Sequence, residues 1–198
     1  PGVREGLVPD TTYYDKLYGR RSWAFSTIYS IAIGEGELLT TPLQMANLAA
    51  TIANRGWYRT PHAVRDVGGR GKPTGVDSLV QTGVDPELFE PVVSAMQQVV
   101  EGVGGTGRRA RTPGLTICGK TGTVQNIDAL EHSVFMAFAP MDNPQIALSV
   151  YVENAGSGGS WAAPIAAQLI ESYLADSLSN PDREARILAA RDPFPETP

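Results

Sequence analysis

The stretch Leu115-Thr116-Ile117-Cys118-Gly119-Lys120-Thr121-Gly122-Thr123-Val124-Gln125 constrains this chain more than any other. Its β-branched residues, and a glycine where helix formers would be needed, make it a strand rather than a helix. Side chains alternate across a pleat, so Thr121 and Thr123 fall on one face and Lys120 on the other. Gly122 lies between the two hydroxyls and has no side chain, so a ligand backbone could approach that edge and pair with it as an added strand. The hydroxyls would hold a carboxylate, and Lys120, a compact cation with three donors, biases the local field toward anions. The pattern suits a peptide that ends in a carboxylate.

Two nucleotide-binding patterns overlap this region and need weighing. Gly114-Leu115-Thr116-Ile117-Cys118-Gly119-Lys120-Thr121 matches the phosphate-binding loop G-x-x-x-x-G-K-[ST] letter for letter. A true phosphate loop needs a flexible turn at the variable places and a helix starting at the lysine, and Leu-Thr-Ile-Cys is strand-like. Gly102 to Gly107 fits G-x-G-x-x-G, but there a helix precedes the glycines and no helical period follows, the reverse of the dinucleotide-binding order. A P-loop nucleotide-binding protein is therefore the alternative to test, its signature being a helix that begins at Lys120.

The 198 residues suffice for one domain or a fragment of a larger one, and 42% hydrophobic content with 19% charge belongs to a folded chain. A net charge of −5 argues against nucleic acid as partner. The short basic cluster Arg108, Arg109 and Arg111 reads as a solvated loop. A single cysteine excludes an internal disulfide, and with two separated histidines it makes a zinc site improbable, so no metal or cofactor is expected. No apolar run approaches the roughly 20 residues that cross a bilayer, and no signal-like segment opens the sequence. Any anchor or export signal is expected upstream of Pro1.

Along the chain, residues 1 to 33 lack a sustained period and read as loop and short strand, with Tyr13, Tyr14, Tyr18 and Trp23 packed rather than lining a groove. Thr41 caps a helix that begins at Pro42 and ends at Asn54-Arg55-Gly56. His62 reads as a structural histidine, and residues 67 to 77 as an exposed loop. Asp85 caps a second helix with Leu88, Val92, Val93, Met96, Val99 and Val100 on its buried face and Gly102 at its end. After the Lys120 strand, 133 to 139 and 145 to 152 form two further strands of an antiparallel meander, with His132 structural. Ser160 caps a helix from 161 to 175 that covers the sheet with Ile165, Leu169, Ile170, Tyr173 and Leu174. The domain reading is 1 to 175, followed by a polar tail over 176 to 198 with one helical piece near 184 to 191.

Lys-Thr-Gly is also the third signature motif of the penicillin-binding proteins and serine β-lactamases. Gly105-Thr106-Gly107-Arg108-Arg109-Ala110 before it and His132-Ser133-Val134-Phe135-Met136-Ala137-Phe138-Ala139-Pro140 after it resemble the last part of a class B penicillin-binding transpeptidase domain. So does the run Ile33-Gly34-Glu35-Gly36-Glu37-Leu38-Leu39-Thr40-Thr41-Pro42-Leu43-Gln44-Met45-Ala46. The opening Gly6-Leu7-Val8-Pro9-Asp10 with Trp23 is most similar to the elongation-type penicillin-binding protein 2 group. Glu35 departs from the glutamine usual in that loop and is left out of the site.

The resemblance implies an α+β fold, an antiparallel sheet flanked by helices, incomplete in this chain. It implies D,D-transpeptidation of peptidoglycan stem peptides through a serine acyl-enzyme, with β-lactam antibiotics acylating the same serine. Lys120 would support the field and proton movement at the nucleophile. Thr121, Gly122 and Thr123 would receive the substrate, the hydroxyls holding the terminal carboxylate and the Thr123 N–H serving the oxyanion hole. Neither Ser-x-x-Lys nor Ser-x-Asn occurs in the sequence, so the nucleophile is expected in a missing N-terminal half and the isolated chain is expected to be inactive. An apolar face or edge should lie open where that half packs. The implied setting is the extracytoplasmic face of the bacterial membrane, with a cell-elongation glycosyltransferase as partner. A non-catalytic module that keeps only the carboxylate cradle is the remaining alternative.

Overall fold

A three-stranded antiparallel sheet, buried on both faces along its central strand, organises the larger part of the computed structural model. The structure describes residues 4–20, 22–64, 66, 68–69, 78–126, 129–175 and 178–190. The chain divides into two compact units, 1–44 and 45–198.

The first unit holds helices α1 (Thr11–Tyr18) and α2 (Phe25–Ala32). The loop-and-strand expectation for residues 1 to 33 is thus corrected to two short helices joined to an isolated bridge between Leu7 and Leu39. Asp10 explains the first helix: its carboxylate accepts from the Tyr13 N–H at 2.7 Å and satisfies an orphan donor of the opening turn. The tyrosines then gather around one carboxylate. Tyr14 is buried, stacks on Tyr18 and lies against Trp23, while the Tyr14 and Tyr18 hydroxyls donate to Glu37 at 3.1 and 2.6 Å. Trp23 donates its indole N–H to Asp15 at 2.9 Å. No residue of α2 is buried, and Phe25, Ile28 and Tyr29 stand exposed.

Helix α3 (Pro42–Ala53) starts where the sequence places it. Thr41 and Gln44 form a reciprocal box, the Gln44 N–H donating to Thr41 Oγ1 at 3.2 Å and the Thr41 N–H to Gln44 Oε1 at 2.8 Å. Arg55 and Gly56 end it in positive-φ conformations. A hairpin of β1 (Trp57–Arg59) and β2 (Leu79–Gln81) follows, and the loop expected between them lies almost wholly outside the described residues. Asp85 accepts from the Glu87 N–H at 3.1 Å and opens a 3-10 turn, Pro86–Phe89, before α4 (Glu90–Glu101). That turn shifts the phase of the apolar stripe. Val93, Met96 and Val100 are buried, whereas Leu88 and Val92, expected inside, are exposed.

The sheet is the meander β3 (Cys118–Val124), β4 (His132–Ala139) and β5 (Ile146–Val152), in that order. On one face of β4, Phe135, Ala137 and Ala139 pack with Ile117, Val100 and Ala110 beneath helix α5 (Ala162–Leu174). On the other, Met136 and Phe138 join Cys118 against Ala49, Ile52 and Ala53 of α3 and Val93 and Met96 of α4. This two-sided burial explains why β4 reads as a continuous apolar run, each large side chain contributing about 1.5–3 kcal/mol.

Two expectations about α5 are corrected. Its first N–H groups are not served by Ser160, whose hydroxyl pairs with that of Ser157. Ser133 on β4 takes the Ala162 N–H at 3.0 Å and donates to Ser157 O at 2.9 Å, while the Ala163 N–H donates to Gly158 O at 3.0 Å. The helix meets the sheet through Ala162, Ala163, Ala166, Ala167 and Ile170, while Leu169 and Tyr173 are exposed. Alanines let the helix approach closely, so the small residues set its phase rather than the large ones. Helix α6 (Pro181–Leu188) begins earlier than expected, where Asn180 accepts from the Arg183 N–H at 2.9 Å. It is secured by Arg183, which pairs with Glu171 of α5 at 3.5 Å with both side chains buried.

Candidate active site

Lys120, Thr121, Gly122 and Thr123 all lie on β3, whose outer edge is unpaired among the described residues because β4 flanks only its inner side. No helix starts at Lys120, so the phosphate-loop pattern is excluded by the backbone itself. The Gly102 to Gly107 run likewise leads into a 3-10 turn, Arg108–Ala110, rather than the long helix that dinucleotide binding requires.

Register with β4 fixes which side chain faces which layer. Thr121 and Thr123 stand opposite Phe135 and Ser133, on the α5 side, while Lys120 stands opposite Met136 on the side of Cys118. The hydroxyls thus share one face and the cation takes the other. Lys120 is exposed, and its ammonium donates to the Thr121 carbonyl at 2.6 Å.

The two hydroxyls are held from behind. Thr121 Oγ1 shares a 2.8 Å hydrogen bond with Thr106 Oγ1, and Thr123 Oγ1 accepts weakly from the Gly158 N–H at 3.4 Å. Thr123 accepts and so keeps its own proton to offer an anion, and Thr121 does the same when Thr106 is the donor of their shared bond. Gly158 comes so near β3 that a Cβ there would strike the carbonyl oxygens of Val134 and Gly122. Gly122 differs: a Cβ would meet only the Val134 side chain, at an ordinary 3.4 and 3.8 Å, so nothing in the described protein demands glycine there.

Sequence reasoning gave neither Thr106 nor Gly158 a role in the site. Thr106 sits inside the glycine run that mimics a dinucleotide signature, and Gly158 lies in a Gly/Ser loop that only the fold carries to β3. The nearest signal was the density of glycine itself, which marks close backbone approach as well as flexibility.

Other chemistry-bearing groups are buried or engaged with the backbone. Burial pushes the Cys118 thiol up to about 11, so it stays protonated and poorly nucleophilic at neutral pH. His132 Nδ1 accepts from the Asn154 N–H at 3.0 Å, and His62 Nδ1 lies 3.0 Å from the carbonyl of Val64, both structural uses. Among the described residues, no group of His, Cys, Asp and Glu could hold a metal ion, and no helix is long and apolar enough to cross a membrane.

The sequence is 35% identical over 205 residues to the peptidoglycan D,D-transpeptidase MrdA of Acinetobacter baumannii, covering 93% of this chain and 30% of that relative. The fold matches the crystal structure of Pseudomonas aeruginosa PBP2 in complex with WCK 5153, with a TM-score of 0.75 and 35% identity over 87% of this chain and 37% of that one. It also matches penicillin-binding protein A from M. tuberculosis, solved as an imipenem acyl-enzyme complex, with a TM-score of 0.65 and 32% identity over 74% of this chain and 33% of that one. The chain therefore spans about a third of the length of its relatives. With residues 10–171 matching the penicillin binding protein transpeptidase domain, and the Lys-Thr-Gly strand at an open sheet edge, the chain belongs to that family.

Proposed function

We propose that the protein bearing this chain is a peptidoglycan D,D-transpeptidase. A serine attacks the carbonyl between two D-alanines of a stem peptide, the terminal D-alanine departs as the amine, and the acyl-enzyme passes to an amine of a neighbouring strand. Lys120 supports the field and proton movement at that serine. Thr121 and Thr123 hold the terminal carboxylate, Gly122 leaves room for the peptide backbone, and the Thr123 N–H is one donor of the oxyanion hole, a contact worth about 3–4 kcal/mol in the transition state.

The observation that carries this reading is the extended placement of Lys120 to Thr123 along an unpaired edge, with two hydroxyls on one face buttressed from behind. These 198 residues contain neither Ser-x-x-Lys nor Ser-x-Asn, so the nucleophile is supplied by residues outside them. β-Lactams enter as acylating analogues of the peptide, the site faces the extracytoplasmic space, and a cell-elongation glycosyltransferase is the partner that supplies the strands to be joined. Residues 1 to 175 form the transpeptidase portion and 176 to 198 its C-terminal extension.

Fluorescent penicillin tests this directly. The intact protein is labelled at a serine, the 198-residue chain alone is not, and Lys120→Ala in the intact protein slows acylation by roughly 10²-fold or more. Labelling of the isolated chain at a serine would overturn the division of the site, and an intact protein that never acylates would point to the non-catalytic carboxylate-binding module.

A further inference from the structure

A cavity lies in the 45–198 unit, between the 3-10 turn Arg108–Ala110, the start of α5 and helix α6. It measures about 380 Å³ and is lined by Arg108, Arg109, Arg186, Trp161 and the buried Arg183, with Asp182 its single carboxylate. Guanidinium groups repel one another, so a cluster of this kind in a chain of net charge −5 calls for an explanation.

Three contacts hold the cluster together. Arg109 and Arg186 each donate to the same acceptor, Ser160 O, at 3.3 and 3.2 Å, and Arg186 lies 4.8 Å above the Trp161 ring, a cation–π contact. Arg183, at the back, is committed to Glu171, Thr112 Oγ1 and the Arg111 carbonyl. Among the described residues, Arg108, Arg109 and Arg186 have no carboxylate within 4 Å. The Arg108 side chain makes no hydrogen bond among the described residues, and most of the guanidinium N–H groups of the other two are likewise uncommitted. Among the described residues the positive charge of Arg108, Arg109 and Arg186 is thus gathered with no ion pair to offset it, Asp182 being the one carboxylate of the lining.

We propose that this cavity binds a phosphoryl group through Arg108, Arg109 and Arg186. A carboxylate is saturated by one bidentate arginine, whereas three separate forks around one hollow suit an anion with three terminal oxygens and two charges. The cavity is open to solvent, so binding weakens as ionic strength rises. The phosphoryl group comes either from a soluble phosphate ester or from an anionic lipid headgroup. This site is independent of the Lys120 strand, and its test does not use acylation.

Pyrophosphate is titrated calorimetrically into the intact protein at fixed ionic strength, with glutarate as a dicarboxylate control. Saturable pyrophosphate binding is expected, weakened roughly tenfold in Arg108→Gln and more in Arg109→Gln/Arg186→Gln. Arg108 carries the argument because removing its guanidinium breaks no hydrogen bond or ion pair among the described residues. Co-sedimentation with phosphatidylglycerol against phosphatidylcholine vesicles separates the sources. Arg108-dependent retention on the anionic vesicles assigns the lipid headgroup, and equal retention on both assigns a soluble ester. Absence of saturable pyrophosphate binding, unchanged affinity in Arg108→Gln, or glutarate binding as tightly as pyrophosphate would each overturn the site.

Discussion

Thr106 and Thr121 share a 2.8 Å hydrogen bond between their hydroxyls, which ties the glycine-rich turn before β3 to the strand that carries Lys120. When Thr106 donates, the Thr121 proton is left for an anion, so Thr106 acts as a positioning residue for the proposed carboxylate contact. In the intact protein, Thr106→Val should slow penicillin acylation by roughly three- to tenfold while costing no more than about 1.5 kcal/mol of stability. Thr106→Ser should restore the rate. Equal rates in wild type and Thr106→Val would remove Thr106 from the site.

Gly122 and Gly158 face each other across the same junction but for different reasons. Gly158→Ala forces the loop away from the carbonyls of Val134 and Gly122 and should destabilise by about 1–3 kcal/mol in urea unfolding. Gly122→Ala meets only ordinary contact, so its stability should stay within about 1 kcal/mol of wild type while acylation falls. If Gly122→Ala left acylation untouched, close approach of a peptide backbone would lose its support.

Ser133 is fully buried and answers both the Ala162 N–H and the Ser157 carbonyl. Replacing it with alanine strands both groups and should cost about 1–3 kcal/mol. Ser160→Ala, which removes only a bond to the Ser157 hydroxyl, should cost far less. The difference between the two urea midpoints checks which serine caps α5.

Arg183 and Glu171 form a buried pair, and burial lowers the arginine from its ordinary range. Arg183→Met leaves Glu171 inside with only the Ser179 N–H at 2.7 Å and should destabilise by about 3–5 kcal/mol. Adding Glu171→Leu should recover part of that loss, because the uncompensated charge is then gone. A double variant no more stable than the single one would show that the Arg111 and Thr112 contacts carry the whole effect.

The Glu37 cluster predicts how the 1–44 unit responds to pH. The hydrogen bond from Tyr18, with that from Tyr14, holds the Glu37 carboxyl below its ordinary 4.5. The unfolded chain then takes up the proton first, so this stabilisation is present above pH 4.5 and is lost as pH falls through the folded value. Burial and the Glu37 bond push Tyr14 up to about 12, so the alkaline loss runs from pH 10 toward 12. Trp23 fluorescence across both limbs reads this out, and Glu37→Gln should flatten the acid limb.

Local sequence determined the elements whose signals are local. The Thr41-Pro42 start of α3, the Asp85 cap, the Gly102 stop and the meander are set by capping chemistry, proline geometry and runs of β-branched residues, which need no distant partner. The Lys120 to Thr123 strand was legible for the same reason, since alternation along a pleat follows from the backbone alone. Only the tertiary structure decided what faces what. That Thr106 supports Thr121, that a serine on β4 rather than Ser160 caps α5, that alanines rather than Leu169 and Tyr173 meet the sheet, and that five arginines line one cavity all depend on long-range packing. A hydrogen bond or a close helix approach across dozens of residues is selected by the shape of the whole core, and no short window of sequence contains that shape.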